Sequence, residues 1–414
     1  MKMNKILLSK HPGFIVIIAV VIRVLLSWVF GSQVADIEQF HWMANIVASS
    51  ENIFDTPGLF HYTPIAMFLP FWCLRISEFT NLPFHFVIKW PTIIADACIV
   101  IIIWKLTLQR TRSIHVAFLS ALFYAINPVS LLITCFHGSY NIIFILFSLF
   151  SYAVMSSGSD SRFYKLAALS LGLAIGFRGF AVLFLPFFLM TADLDWRKKL
   201  NFVLISSLPS VITLIPFLLV DFQAVLRDTF MYSGVIDFGW IALARSFWFL
   251  RTGNYYLPGT LGNELLSVSK FAFLILYVLL IIYFCFRVRR KNLLWGFVTT
   301  ILLFFTIYGG ISGQYLVWLV PFATLFDNHW LKVYSIFATL ALIHFYLFYF
   351  PKILFGNLPI FWQELNPDVM IYVLISNFFF WGICLIWFSK IIQQSIQIDN
   401  STKEQSILAQ SEKS

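Results

Sequence analysis

The sequence predicts an all-α integral membrane protein with about 12 transmembrane helices and interfacial helices in its outer loops. Of the 414 residues, 60% are hydrophobic and only 11% are charged, and the mean hydropathy is +0.85. A soluble domain could not solvate such a surface. The basic residues lie in short clusters between apolar runs, which indicates membrane topology and no nucleic-acid binding.

Nine apolar segments are candidates for membrane-spanning helices, which need about 20 residues: 13–30, 84–104, 114–134, 140–156, 201–220, 266–286, 293–309, 332–350 and 368–389. Three further segments are ambiguous: 62–77, 164–191 and 314–327. Loop charge resolves them, because Lys and Arg are enriched on the cytoplasmic side. If the N-terminus is cytoplasmic, 62–77 is an interfacial or re-entrant helix on the outer side, 164–191 forms two short spans and 314–327 crosses. Both termini are then cytoplasmic.

This topology defines the predicted domain organisation. Residues 1–390 form a single polytopic membrane domain whose outer loops are 31–83, 221–265 and 351–367. Residues 391–414 form a polar cytoplasmic tail, which we expect to be disordered from Gln393 onward because it has few residues to bury. No internal repeat is evident, which gives no support to a transporter built from two matching halves.

Two acids, Asp36 and Glu38, follow the first predicted span. The segment after Asp36 predicts an amphipathic helix on the outer interface, because its apolar residues fall on one helical face: Ile37, Phe40, Ala44 and Val47. Asp36 and Gln39 have the spacing of a capping box. A carboxylate that caps a helix is also fixed in place for chemistry, so both interpretations stay open.

Three charged residues occur within or between apolar segments. Arg178 lies in "GFRGF" between two short spans, where it either extends to the lipid headgroups or binds a phosphate that Gly176 and Gly179 allow to approach. Arg23 and Asp96 lie at mid-membrane depth. We expect these two to neutralise each other, because an unpaired buried charge is costly.

Several other polar side chains lie on the same predicted side as Asp36 and Arg178. His137 lies in "FHGSYN", and Gln314 and Tyr315 begin a span there. A base close to an anion-binding group at a lipid interface indicates chemistry on a lipid phosphate.

The loop 221–265 contributes either a second interfacial helix or a groove for an acceptor or a lipid tail. The five cysteines are scattered, so neither a disulfide nor a metal site is predicted.

A series of segments then resembles the GT-C superfamily of membrane glycosyltransferases. In order, they are the first-loop acid followed by "HW", "YTPIA", "IKWPTIIADACIV", "NPVSLLITCFHGSYN", "AIGFRGFAVLFLPFF" and "GQYLVWLVPF". The likeness is greatest to bacterial and archaeal polyprenyl-phosphate-sugar enzymes and to mannosyl- and glucosyltransferases of the endoplasmic reticulum. It covers residues 14–327 or so.

The resemblance implies a hexosyltransferase, with mannose one candidate sugar. The donor would be a polyprenyl-phosphate-linked sugar, and the acceptor a hydroxyl of a glycan, a glycolipid or another molecule on the outer or lumenal face. Such an enzyme lies in the bacterial or archaeal cell membrane, or in the endoplasmic reticulum of a eukaryote. Its partners are membrane lipids, and it requires neither a metal nor another cofactor.

The resemblance also implies roles for individual residues. Asp36 would be the general base, Glu38 a second acid, and Arg178 the group that binds the donor phosphate. The substrate-binding residues would be His137, Asn141, Gln314, Tyr315 and Arg245. Relatives often have an acid or Gln within the segment written here as "HGSYN", and some have two Asp where this chain has Asp36 and Glu38. The identity of the sugar therefore stays open.

Two other functions compete with this one. A flippase or transporter for lipid-linked sugars would need ionisable residues along a path through the bilayer, and only Arg23 and Asp96 are deep. A polymerase or ligase of surface polysaccharide would use outer basic residues, and Arg227, Arg245 and Arg251 supply them.

Overall fold

The computed structural model describes residues 12–30, 35–56, 62–157, 161–191, 194–287, 293–326, 328–351 and 366–411. Across these ranges the backbone is helical and contains no strands, apart from one isolated antiparallel bridge between Phe238 and Ile311. The predicted all-α class is therefore confirmed.

The α-helices of seven residues or more are, in chain order, α1 (Pro12–Val29), α2 (Ala35–Ala48), α3 (Phe68–Thr80), α4 (Trp90–Thr111), α5 (Ile114–Ala125), α6 (Asn141–Ser157), α7 (Ser161–Phe177), α8 (Leu185–Thr191), α9 (Trp196–Val220), α10 (Gly239–Thr252), α11 (Leu261–Arg287), α12 (Leu293–Ile307), α13 (Leu319–Phe326), α14 (Asn328–Tyr349) and α15 (Pro367–Ser411). Shorter α-helices are Phe84–Val87, Pro128–Leu131 and Phe222–Val225. The 3₁₀-helices are Ile53–Asp55, Pro64–Met67, Gly179–Phe184 and Gly313–Trp318, and the π-helices are Leu132–His137 and Leu226–Phe230.

Among the described residues, six helices are long and apolar enough to cross a membrane: Pro12–Val29, Phe84–Thr111, Trp196–Val220, Leu261–Phe286, His329–Tyr349 and Pro367–Ile396. A pair bent by 41° makes a seventh if it is one span, Ile114–Ala125 with Pro128–His137. The chain is a multi-pass membrane protein, but the predicted twelve spans are not confirmed. The other five predicted spans correspond to apolar helices of 10–17 residues: Asn141–Ser157, Phe163–Phe177, Gly179–Met190, Leu293–Ile307 and Gly313–Phe326.

Local sequence explains where these helices break. At the bend after α5, the Asn127 side chain accepts a hydrogen bond from the backbone N–H of Val129, and Pro128 begins the next helix. Asn at the N-cap followed by Pro is a strong helix start, and the Pro ring disfavours helical geometry in the residue before it. The segment 164–191 breaks at Arg178, which is extended between α7 and the 3₁₀-helix that follows.

Two other sequence predictions concern the flanking segments. The segment 62–77 forms a 3₁₀-helix and the 13-residue helix α3, which is shorter than the roughly 17 residues that a span needs. The expectation that the tail is disordered from Gln393 is wrong, because α15 continues to Ser411. No Gly or Pro interrupts 393–411, so nothing in the local sequence ends the helix. The loop 351–367 lies almost entirely outside the described residues.

Small residues bring several helices together. α7 packs between α6 and α9, and a Cβ atom at Gly172 of α7 would lie only 2.6 Å from the carbonyl oxygen of Ser206 in α9. A Cβ atom at Gly296 of α12 would overlap the ring of Phe187. The long helix α15 packs against α10, α12 and α14. These contacts form a bundle whose apolar outer side chains face the surroundings, as lipid exposure requires.

The buried ion pair of Arg23 and Asp96 joins α1 to α4, as the sequence predicts. Arg23 Nε donates to Asp96 Oδ2 at 2.7 Å, and both side chains are 0% exposed. The guanidinium also donates to the carbonyl oxygen of Ala125 at 2.7 Å and to Ser130 Oγ at 2.8 Å. The carboxylate accepts further hydrogen bonds from hydroxyl groups, those of Tyr124, Ser130 and Thr134. Each charge is thus paired and fully hydrogen-bonded, which makes burial in an apolar medium tolerable.

We predict that Arg23→Met destabilises the protein by about 3–5 kcal/mol, because the change leaves the Asp96 carboxylate buried without its counter-ion. The double change Arg23→Met with Asp96→Leu should recover most of that loss, since it removes both charges. Thermal unfolding of the purified protein in detergent, followed by tryptophan fluorescence, measures both effects. Equal unfolding temperatures for the wild type and Arg23→Met would contradict the role assigned to this pair.

Candidate active site

The carboxylate of Asp36 lies against the imidazole of His137. Asp36 Oδ2 is 2.8 Å from His137 Nε2, and His137 Nδ1 is 3.1 Å from the hydroxyl oxygen of Tyr346 in α14. The Asp36 side chain is 27% exposed, whereas that of His137 is 5% exposed. The imidazole is therefore fixed between a tyrosine and a carboxylate that stays accessible. The capping-box prediction is wrong, because α2 begins at Ala35 and Asp36 lies inside its first turn.

Packing fixes both partners. α2 buries an apolar face that includes Ile37, Phe40 and Met43, and its first turn favours an anion because the helix dipole is positive there. His137 is the last residue of a π-helix that ends at Gly138, whose φ of +73° suits glycine. A Cβ atom at Gly138 would lie 3.2 Å from Ile37 Cδ1, so α2 approaches the π-helix closely here.

Lys89, which sequence reasoning missed, holds two helix ends at this position. Its side chain is fully buried, and its Nζ donates to the carbonyl oxygens of Phe30 at 2.8 Å and Cys135 at 2.7 Å. Phe30 directly follows α1, and Cys135 is two residues before His137. A cation that donates to terminal carbonyl groups stabilises helix C-termini. Lys89 thereby links the end of α1 to the π-helix that presents His137.

The surroundings keep Asp36 ionised. Burial alone would raise its pKa, but the electrostatic attraction and hydrogen bond of His137, together with the charge of Arg178, outweigh burial and hold the pKa of Asp36 below its ordinary value. A carboxylate of this kind accepts hydrogen bonds from protein donors on one side and is available to accept a proton on the other.

Arg178 is the N-cap of the 3₁₀-helix Gly179–Phe184 and lies within a group of aromatic rings. Its guanidinium carbon lies 4.6 Å from the ring centroid of Tyr315, 5.2 Å from that of Tyr62 and 5.7 Å from that of Trp318. It also donates a hydrogen bond to the Tyr315 hydroxyl. None of the ion pairs formed by the described residues includes Arg178, so the aromatic rings hold the charge without neutralising it.

The two glycines that flank Arg178 have different roles. A Cβ atom at Gly179 would meet nothing within 4 Å, so the backbone beside the guanidinium is open to a ligand. A Cβ atom at Gly176 would lie 2.8 Å from the side chain of Ile65, and the Gly176 carbonyl oxygen accepts a hydrogen bond from the Thr63 hydroxyl. Gly176 therefore packs α7 against the segment that precedes α3.

A second carboxylate, Asp237, belongs to the same cluster, and sequence reasoning also missed it. Burial raises its pKa to about 6, assisted by the charge of Asp36 and opposed by Arg245, His137 and a hydrogen bond from Ser312. The backbone N–H groups of Asp237 and Phe238 both donate to the carbonyl oxygen of Ile311 at 3.0 Å. A signal existed in the sequence, since Asp237 is an acid within the long apolar loop 221–265 and is flanked by Gly234 and Gly239.

The predicted residues Asn141 and Gln314 bind each other. Asn141 Nδ2 donates to Gln314 Oε1 and to Ser139 Oγ, both at 2.6 Å, and Trp318 Nε1 donates to Asn141 Oδ1 at 3.0 Å. All four side chains are buried. This network joins the start of α6 to the 3₁₀-helix Gly313–Trp318, which presents Tyr315 to Arg178. Asn141 and Gln314 therefore help to hold the 3₁₀-helix that carries Tyr315 in position.

The remaining candidates differ in their contacts. Glu38 is exposed and, among the described residues, forms no hydrogen bond or ion pair. Arg227 forms an ion pair with its neighbour Asp228, and Arg251 is exposed. Arg245 is buried beside Tyr349 and Tyr255. The cluster thus contains Asp36, His137, Arg178, Tyr315 and Arg245 but not Glu38.

Tyr140 adds a further hydrogen-bond donor that sequence reasoning missed. Its ring packs 4.3 Å from that of Phe40 and 5.6 Å from that of Tyr62, measured between centroids. Its hydroxyl is buried and bonds to none of the described groups. Buried hydroxyl groups rarely lack a partner, so this one is a candidate contact for a bound substrate.

All five cysteines are free thiols. Within the described ranges, no three His, Cys, Asp or Glu side chains are grouped so that they could bind one metal ion. The expectation that the reaction uses no metal stays a prediction. Comparison of the chain with protein-family models and with curated proteins found no match.

The raised pKa of Asp237 predicts a pH-dependent stability. In the unfolded chain this carboxyl titrates near its ordinary pKa of about 3.9, whereas in the folded protein it titrates at about 6. Between these values the folded state binds the proton more tightly, so its contribution to stability falls as the pH rises toward 6 and then stays constant. Asp237→Asn has no carboxyl group at this position, so its stability does not fall with pH through this residue.

The difference in unfolding temperature, Asp237→Asn minus wild type, should therefore be more positive at pH 7.5 than at pH 4.5. Differential scanning fluorimetry of both proteins across this range measures it. Glu38→Gln, an exposed acid on α2, is the control and should show no such trend. A difference that stays constant, or that becomes more negative as the pH rises, would overturn the assignment of a raised pKa to Asp237.

Proposed function

We propose that this protein is a membrane glycosyltransferase of the GT-C type. It transfers a hexose, with mannose one candidate, from a polyprenyl-phosphate donor to a hydroxyl acceptor on the outer or lumenal face. The observation that carries the proposal is the pairing, in one cluster, of an ionised and accessible carboxylate with a guanidinium that has no carboxylate partner among the described residues. These are the groups that inverting transfer from a lipid phosphate needs.

The proposed topology has twelve spans, to which the five shorter apolar helices also contribute. Broken helices are tolerated at membrane depth where they line a polar cavity, and the breaks at Arg178 and Gly138 both lie at the site. Away from the site, Arg110 at the end of α4 donates to the carbonyl oxygen of Leu325 at the end of α13. Both ends are cytoplasmic in this topology, so the contact supports it.

In the proposed reaction, Asp36 accepts the proton of the acceptor hydroxyl while the hydroxyl oxygen attacks the anomeric carbon of the sugar. The bond from that carbon to the phosphate oxygen breaks, and polyprenyl phosphate leaves with the electron pair. Attack from the opposite face inverts the anomeric configuration. His137, held by Tyr346, orients the carboxylate and stabilises its charge before the proton is transferred.

Arg178 acts on the leaving group. A guanidinium offers planar pairs of N–H donors that match phosphate oxygens, and the charge that develops on the departing phosphate is stabilised where it forms. Because a phosphate is already a good leaving group, no general acid is required. The rings of Tyr62, Tyr315 and Trp318 restrict the guanidinium to one orientation.

The described residues favour this proposal over its alternatives. A transporter path would need ionisable residues that respond to a substrate, but Arg23 and Asp96 satisfy each other completely. A polymerase or ligase would rely on outer arginines, but Arg227 is already paired and Arg251 is on the surface, so that only Arg245 of the three is buried and without a carboxylate partner among the described residues.

We expect Asp36→Asn to lower sugar transfer by about 10²–10⁴-fold, the usual contribution of a general base. The amide has nearly the size of the carboxylate and can still hydrogen-bond to His137, but it cannot accept the proton. Transfer is measured with radiolabelled polyprenyl-phosphate sugars, tested one at a time, in membranes that contain matched amounts of each variant.

Glu38→Gln is the matched control, because it removes an acid from the same helix without touching the cluster, and it should transfer sugar at the wild-type rate. Equal loss in both variants would show that the Asp36 result is not specific to its position. Full activity of Asp36→Asn would refute the role of Asp36 as base while leaving the enzyme class in place.

Arg178→Gln should abolish measurable transfer and weaken the binding of polyprenyl phosphate, whereas Arg178→Lys should retain part of both. Lysine keeps the charge but loses the planar pair of donors and much of the stacking on Tyr62 and Tyr315. Binding of labelled polyprenyl phosphate to the purified variants in lipid nanodiscs measures the effect. Unchanged binding in Arg178→Gln would exclude this residue as the phosphate site.

A further inference from the structure

Arg245 in α10 is a second cation with unused hydrogen-bonding capacity. Its side chain is 8% exposed, and its Nη2 donates to the hydroxyl oxygen of Tyr349 at 2.6 Å. Its guanidinium carbon lies 4.4 Å from the ring centroid of Tyr255 and 5.8 Å from that of Tyr349. The two tyrosine hydroxyl oxygens are 2.7 Å apart. The Nε–H of Arg245 is buried and donates to none of the described groups.

Burying the Arg245 guanidinium in this way costs free energy of folding unless an anion binds to it. No ion pair among the described residues includes Arg245, and the carboxylate that affects it electrostatically, Asp237, is not within salt-bridge distance. A buried guanidinium without a counter-ion loses hydration that two aromatic rings replace only in part. The unpartnered Nε–H and the lack of a carboxylate within salt-bridge distance, both judged over the described residues, are two separate signs that an oxyanion binds here.

The position of Arg245 relative to the catalytic cluster is set by α14. Tyr346 holds His137, and Tyr349, three residues later, holds Arg245. Three residues correspond to about 4.5 Å along a helix, and side chains at this spacing share a face. Arg245 therefore lies close to His137 along α14. Its aromatic partners differ from those of Arg178, so the two guanidinium groups form separate cationic positions in one cluster.

We propose that Arg245 binds an anionic group of the acceptor, a phosphate or a carboxylate, and thereby places the accepting hydroxyl at Asp36. This inference rests on the proposed function, since it divides the site into a donor position at Arg178 and an acceptor position at Arg245. The acceptor is then an acidic molecule, either a lipid with a phosphomonoester or carboxylate headgroup or a soluble phosphorylated glycan. Neutral glycans would lack the group that Arg245 and its two tyrosines recognise.

The test is a binding measurement on the full-length protein in nanodiscs of neutral zwitterionic lipid. Saturating polyprenyl phosphate first occupies the donor position, and phosphatidic acid is then titrated as the probe, with diacylglycerol as its neutral counterpart. We expect phosphatidic acid to bind the wild type in addition to polyprenyl phosphate and diacylglycerol not to bind. Arg245→Gln should weaken the binding of phosphatidic acid at least tenfold, and Arg245→Lys should restore part of it.

Arg251→Gln is the matched control, because Arg251 is an exposed arginine at the end of the same helix, and it should bind phosphatidic acid like the wild type. A parallel titration with inorganic phosphate separates the two sources of the anion. Binding of both probes indicates that the anion alone suffices, and binding of phosphatidic acid alone indicates a lipid acceptor. Equal binding of phosphatidic acid by wild type and Arg245→Gln, or no binding beyond polyprenyl phosphate, would overturn the proposal.

The measurement does not depend on turnover. Asp36→Asn should bind both anions like the wild type, so an inactive enzyme would still reveal the acceptor position. Conversely, transfer that requires Asp36 and Arg178 but proceeds unchanged in Arg245→Gln would refute the acceptor position while leaving the proposed function intact.

Discussion

The ion pair between Arg23 and Asp96 is the constraint on which the rest of the structure depends. In an apolar medium each charge needs a counter-ion and a full set of hydrogen bonds, and here those partners come from α1, α4, α5 and the bent segment after it. The pair therefore fixes how these segments lie relative to one another. Thr134, one of its partners, is three residues before His137. A network buried within the bundle thus helps to fix the position of the segment that carries His137, a member of the candidate cluster.

The cluster itself is built where helices stop. His137 ends a π-helix at a left-handed glycine, Arg178 is the extended residue between α7 and a 3₁₀-helix, and Tyr315 lies in the first turn of another 3₁₀-helix. Such interruptions occur at functional sites because they turn side chains out of the regular helical pattern. They cost backbone hydrogen bonds, which Lys89 partly replaces by donating to the carbonyl oxygen of Cys135. The side-chain hydrogen bond between Asn141 and Gln314 holds two of the interrupted segments together. Stability and function are therefore supplied by different residues of the same segments.

Sequence reasoning reached those features that depend on composition or on strong local rules. Hydropathy gave the all-α membrane class, and the cost of buried charge gave the pairing of Arg23 with Asp96. It also named Asp36, His137, Arg178 and Tyr315, which lie together. The capping box failed because α2 begins one residue before Asp36. Lys89 was missed because only tertiary contacts reveal its role. Asp237 is marked in the sequence as an acid in an apolar loop, but its place in the cluster depends on a tertiary contact: its loop approaches the 308–312 segment so closely that a Cβ atom at Gly234 would lie 2.5 Å from the carbonyl oxygen of Gly310.

In the proposed reaction the donor phosphate and the base lie on opposite sides of one sugar. A cryo-EM structure with a non-transferable polyprenyl-phosphonate sugar tests it most directly. We expect a phosphonate oxygen within about 3 Å of an Arg178 nitrogen, with the face of the anomeric carbon opposite the phosphonate turned toward Asp36. A phosphonate bound away from Arg178, or Asp36 on the same face of the sugar as the phosphonate, would refute the proposed mechanism.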